Sequence, residues 1–129
     1  MIKSVNEFIE ICQSDDPKVY TRFNNDLITD EIGFAIIAEY PEMADNVAEN
    51  KTISLNMINH LANDEYWQIR SRIARKPNLT RELFEKFAND PHESVRHRLV
   101  YNKNTPLDIL EKYQLYRSDV SSNHPARLG

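Results

Sequence analysis

A repeat of about 26 residues runs through this chain, and no other feature limits its fold so tightly. Leu61-Ala62-Asn63-Asp64 returns as Phe87-Ala88-Asn89-Asp90, and Ile69-Arg70-Ser71-Arg72 returns as Val95-Arg96-His97-Arg98, at the same offset. The apolar set Met57, Ile58 and Leu61 maps to Leu83, Phe84 and Phe87, and again to Ile109, Leu110 and Tyr113. Asn78 maps to Asn104. Upstream, Met43, Val47 and Ala48 match Ile69, Ile73 and Ala74, while Phe34, Ile37 and Ala38 match Ile58, Leu61 and Ala62 with two residues deleted. Downstream, Arg117-Ser118-Asp119-Val120 and Asn123-His124-Pro125 read as a shortened copy of residues 96–104. A unit this short cannot bury its own apolar face, whereas stacked copies share a continuous core.

Each unit reads as two short helices. The first opens on a threonine cap, Thr52, Thr80 or Thr105, the last with Pro106 at the first helical position. Its apolar residues fall at i, i+1, i+4 and i+5, one stripe of a 3.6-residue period. The second starts near Asp90-Pro91, with Asp64-Glu65 in that place one unit earlier. Its core positions are 69, 73 and 74, then 95, 99 and 100. At the N-terminus, Ser4-Val5-Asn6-Glu7 reads as a capping box before Phe8, Ile9, Ile11 and Cys12, and Asp16-Pro17 opens a short helix through Val19, Tyr20 and Phe23. Helices of about ten residues are marginal alone. The expected fold is therefore all-α, a short α-solenoid of paired helices with atypical caps at both ends. The expected organisation is a single domain over residues 1–129, with an N-terminal helical cap at 1–28, repeats over 29–125 and a tail at 126–129.

Composition narrows the alternatives. Two glycines in 129 residues leave little for β-hairpin turns, and no Gly-rich phosphate loop or dinucleotide fingerprint is present. A lone Cys12 excludes a disulfide framework and a cysteine zinc site, and its place on the apolar stripe predicts a buried, inert thiol. Apolar runs such as 34–38 are too short to span a bilayer, and no signal-peptide pattern opens the chain, so the expectation is a cytoplasmic protein without membrane association.

The phrase Leu61-Ala62-x-Asp64 … Ile69-Arg70-x-x-Ile73-Ala74-x-Lys76-Pro77-Asn78-x-Thr80 resembles the leucine-rich repeat variant motif, a HEAT-like helical repeat. The copy from Phe87-Ala88-x-Asp90-Pro91 through Val95-Arg96-x-x-Leu99-Val100 to Asn104-Thr105-Pro106 resembles it more closely. Tyr66-Trp67 replaces the proline turn in one copy, and the last unit lacks the Asp-Pro segment. The resemblance implies a right-handed solenoid and a binding habit, but no single activity.

No catalytic centre is nominated. His60, His92, His97 and His124 form no HExxH pair, the carboxylates lack calcium-loop spacing, and no nucleophile elbow exists, so neither enzyme activity, metal nor cofactor is expected. The repeated arginines, Arg70 with Arg96 and Arg72 with Arg98, leave two readings: phosphate contacts, or ties to Asp64 and Asp90 that join neighbouring units.

Charge is the remaining signal. The net is −4, yet residues 1–65 carry four Lys/Arg against thirteen Asp/Glu, and residues 66–103 carry nine against four. An acidic end attracts basic partners and repels nucleic acid. Second helices usually line the concave side of such arrays. In this register they would expose Asp45 and Glu49, then Ser71 and Arg75, then His97 and Tyr101. Tyr66 and Trp67 at the interhelix corner read either as anchors for a partner or as a staple on their own helix, and Tyr40 sits at the matching corner. With the acidic Asp15, Asp16, Asp26, Asp30, Glu31 and Glu42, these residues make up the expected partner-binding set. The function expected from this pattern is non-enzymatic protein binding. Most concretely, because stand-alone short helical-repeat proteins of bacterial type resemble such antidotes, the resemblance and the acidic end imply an immunity protein that occludes the active site of a bacterial toxin, a basic nuclease, with no small-molecule substrate. A general adaptor and a HEAT-like nucleic-acid binder are the alternatives.

Overall fold

The structure, a computed structural model, describes residues 1–115. The downstream copy at 117–125 and the tail at 126–129 lie outside the described residues. Among those described, every regular element is a helix, and no strand occurs. The chain forms two compact units, Met1–Asn63 and Asp64 onward.

The first unit contains α1 (Val5–Cys12), α2 (Pro17–Tyr20), α3 (Arg22–Asn25), α4 (Asp30–Glu39), a 3₁₀ turn (Pro41–Met43), α5 (Ala44–Glu49) and α6 (Leu55–Leu61). Helix α4 packs against α1, α5 and α6, and α3 packs against α1 and α5. Phe8, Ile11, Phe23, Ile36, Val47, Met57 and Leu61 form its core. The second unit contains α7 (Trp67–Ala74), α8 (Arg81–Ala88), α9 (Glu93–Tyr101) and α10 (Leu107–Lys112). Here α7 lies on α9, α8 touches α7 and α9, and α10 lies on α8. Ile69, Ile73, Leu83, Phe84, Phe87, Val95, Leu99 and Ile109 are buried together in this unit.

Helix starts carry the period. The residues capping α4, α6, α8 and α10 are Thr29, Ser54, Thr80 and Pro106, and those before the 3₁₀ turn, α7 and α9 are Tyr40, Tyr66 and His92. Ser4, Asp16 and Thr80 cap as the sequence predicts, accepting from the amides of Glu7, Lys18 and Leu83. Glu7 reaches back to the Lys3 amide, completing a box one residue wider than the usual form.

Three expected caps are displaced. Thr52 does not cap α6: its hydroxyl accepts from the Ile28 amide at 3.1 Å and donates to Asn50 Oδ1 at 2.6 Å, and Ser54 caps instead. Thr105 donates to the Leu99 carbonyl, 2.7 Å away, which leaves Pro106 at the cap position rather than inside the helix. Asp90 accepts from the His92 amide, and the His92 ring caps α9 by accepting from the Ser94 amide at 3.0 Å.

The register of α4 also differs from the sequence reading. Its buried residues are Gly33 and Ile36, while Phe34 and Ile37 are half-buried and Ala38 is exposed. The spacing from the cap Thr29 to the cap Ser54 is one short of that from Ser54 to Thr80, so a single position is deleted rather than two. Gly33 then stands where Ile58 stands in the next copy. A Cβ at Gly33 would lie 3.0 Å from Met57 Cε, so the buried Met57 fills the room that a side chain would need.

Candidate functional site

In the second unit, α7 and α9 are locked together by charge. Arg70 donates from Nε and Nη2 to the two carboxylate oxygens of Asp90, at 2.7 and 2.9 Å, and from Nη1 to the Asp64 carbonyl. Arg96 repeats that last contact one unit on, donating to the Asp90 carbonyl. The Asp90 side chain is 1% exposed and that of Arg70 12%. Burial pushes the Asp90 carboxyl up, but the Arg70 hydrogen bonds, the His92 amide and the nearby cations outweigh it and hold the group below its ordinary range. Arg70 thus ties α7 to the turn before α9, while Arg96 bonds a carbonyl six residues back within its own copy. On the neighbouring helices, Arg81 pairs with Asp108, and Glu85 meets Lys112 and the Tyr113 hydroxyl.

Outside this lock, α9 presents a recess of about 240 Å³ lined by Ser94, His97, Arg98 and Tyr101. His97 and Tyr101 pack edge to face, 5.4 Å between ring centres. Arg98 Nε donates to Ser71 Oγ on α7 at 3.3 Å. The expected row along the second helices is thus kept at His97 and Tyr101 but changed at Ser71, which lies buried beneath Arg98 rather than exposed. Arg75, the C-cap of α7, is exposed.

The aromatic corner takes a form that neither sequence reading described. Trp67 stacks on the His92 ring, centroids 4.1 Å apart and planes 16° from parallel, so its partner is the cap of α9 rather than a residue of its own helix. Tyr66 stands free of the stack with 62% of its surface exposed. Tyr40, in the first unit, is also exposed. The signal that could have found His92 was its position, one full repeat after Tyr66.

The acidic candidates sort into two groups. Asp16 caps α2, Asp26 pairs with Arg22 at 2.6 Å, and Asp30 accepts from Ser54 Oγ and Asn56 Nδ2, so these three hold the first unit together. Asp15, Glu31 and Glu42 are exposed to solvent, and Asp45 and Glu49 are half-buried on α5. Two residues that sequence reading missed serve as carbonyl clamps. Asn50 donates to the Phe23 and Asp26 carbonyls, and Asn102 to those of Ala74 and Lys76.

Among the described residues no cluster of three His, Cys, Asp or Glu side chains is placed to hold a metal ion, and no helix is long and apolar enough to cross a membrane. Cys12 is half-buried rather than fully buried, and desolvation pushes its thiol up to about 11. Roughly a hundredfold less thiolate is then present at pH 8 than for an unhindered thiol. A disulfide reagent at pH 8 is expected to label native protein about 100-fold more slowly than protein in denaturant. Equal rates would show that Cys12 is not shielded. The chain matches no family model, no curated protein and no solved structure.

Proposed function

We propose that this chain is a non-catalytic helical-repeat module, of the leucine-rich repeat variant or HEAT-like type, that binds another protein through surfaces of opposite charge. The carrying observation is a coincidence of boundaries. The compact unit Met1–Asn63 holds four Lys/Arg against eleven Asp/Glu, and the chain from Asp64 onward holds twelve against nine. Charge therefore changes sign where the packing divides. The regular spacing of helix starts, and the packing of α8 on α10 and of α7 on α9, support the paired, stacked reading of the repeats.

The finer form of the proposal is an immunity protein. In the cytoplasm, the acidic unit would stand in for the nucleic-acid phosphates that a basic bacterial toxin normally binds, and so occlude its active site. Steering by charge raises the association rate, while an aromatic anchor such as Tyr66 supplies lasting contact. Nucleic-acid binding is disfavoured because Arg70, Arg81 and Arg96 are already paired within the protein.

The test uses a variant that spares the fold. Asp15→Asn, Glu31→Gln and Glu42→Gln together remove three charges that carry no cap. Immobilised wild-type protein is expected to retain one stoichiometric basic protein from a lysate at low salt, and the triple variant to retain it at least about tenfold more weakly. Equal retention by both would sink the electrostatic reading. Nucleic acid released at modest salt, with no protein, would replace it with the phosphate-binding one, and a ragged set of weak partners with the adaptor one.

A further inference from the structure

We infer that the recess on α9 is an oxyanion subsite that receives the carboxylate of an acidic side chain on the bound protein. Its wall carries Arg98, an exposed guanidinium whose Nε is already held by Ser71 Oγ. That bond anchors the planar group on one edge, and the end-on pair of terminal nitrogens of a guanidinium matches the spacing of carboxylate oxygens. Ser94, at the second position of α9, adds a hydroxyl to the same wall. His97 and Tyr101 bound the recess as an aromatic edge, and each is held by a further interaction.

The surroundings favour an anion. Helices α7 and α9 together carry Arg70, Arg72, Arg96 and Arg98 against Glu93, their single carboxylate. Arg70 and Arg96 are turned to Asp90, but Arg98 faces the recess. The recess is larger than one carboxylate group, so a side chain can enter with it. A protein that carries both an acidic unit and a carboxylate-accepting unit rejects partners of uniform charge. The inference takes the source of its carboxylate from the protein-binding reading. The site itself rests on the recess.

The experiment separates the two because its probes need no partner. Full-length protein would be titrated with glutarate and, separately, with inorganic phosphate, following the amide signals of Ser94–Tyr101 and the Nε–H signal of Arg98 by NMR. Saturable shifts with glutarate, confined to α9 and Ser71 and weakened about tenfold or more by Arg98→Gln, are expected. Shifts that never saturate, or that survive Arg98→Gln unchanged, would overturn the subsite. Phosphate binding tighter than glutarate by tenfold would overturn the carboxylate assignment. If Arg98→Gln loses helicity, Arg98→Lys provides the same comparison, because it keeps the charge and lacks the fork.

Discussion

Replacing Asp90 by Ala is expected to remove about 3–5 kcal/mol of stability from the second unit. The side chain is almost wholly buried, accepts two hydrogen bonds from Arg70 and one from the His92 amide, and takes the only carboxylate bonded to Arg70 with it when it goes, leaving Asp64 as a more distant charge. Breaking one side of a buried pair costs more than the pair contributes, because the surviving charge keeps its desolvation penalty. The double variant Arg70→Met, Asp90→Leu is therefore expected to recover most of the loss. Trp67 belongs to this unit and stacks on the residue whose amide Asp90 holds, so its fluorescence in a urea titration reports the change directly. A loss under about 1 kcal/mol for Asp90→Ala would mean that the pair is no more than a surface contact.

The same pair fixes a direction with pH. Asp90 has its native carboxyl below the value of an unfolded aspartate, which is about 3.9. A group of this kind contributes fully above the unfolded value, and its contribution is lost as pH falls through the native value. Wild-type protein is therefore expected to lose stability below about pH 4 more steeply than the double variant, which has nothing to protonate at this position.

The helical class and the spacing of helix starts were legible in the repeat. The apolar residues at 57, 58 and 61, at 83, 84 and 87, and at 95 and 99 are buried as read, since burial and helical period select the same residues, whereas Val100, Leu110 and Tyr113 are only half-buried. Local polar choices were less legible. Thr52 and Thr105 have the chemistry of caps, yet in the folded chain Thr52 accepts from the distant Ile28 amide and Thr105 donates back to the Leu99 carbonyl, neither of which local sequence encodes. The register of α4 was misplaced for a different reason. Sequence alignment places a deletion by matching apolar letters, whereas the fold places it by the volume of Met57. Of the candidate site, His97 and Tyr101 came from register alone and do line a recess, while the Trp67–His92 stack needed a contact between successive repeats that no local pattern encodes.

Asn50 carries the largest expected effect in the first unit. It is fully buried, donates through Nδ2 to the Phe23 carbonyl at 2.8 Å and the Asp26 carbonyl at 3.0 Å, and accepts from the Thr52 amide through Oδ1. One side chain thereby satisfies the loose carbonyls at the end of α3 and turns the chain out of α5 toward α6. Asn50→Ala leaves the buried Phe23 carbonyl without its donor and takes one partner each from the Asp26 carbonyl and the Thr52 amide, at about 1–3 kcal/mol for a buried group, and the expected loss is about 3 kcal/mol. Asn102 makes the equivalent clamp in the second unit, on the Ala74 and Lys76 carbonyls, but it is only half-buried. Water can reach those carbonyls when its amide is removed, so Asn102→Ala is expected to lose about 1 kcal/mol. Urea melts followed by circular dichroism measure both losses, and Trp67 fluorescence isolates the second. The order of the two losses is the discriminating result. Equal small losses would mean that the carbonyls find other donors. A larger loss at Asn102 would mean that burial does not set the strength of the clamp.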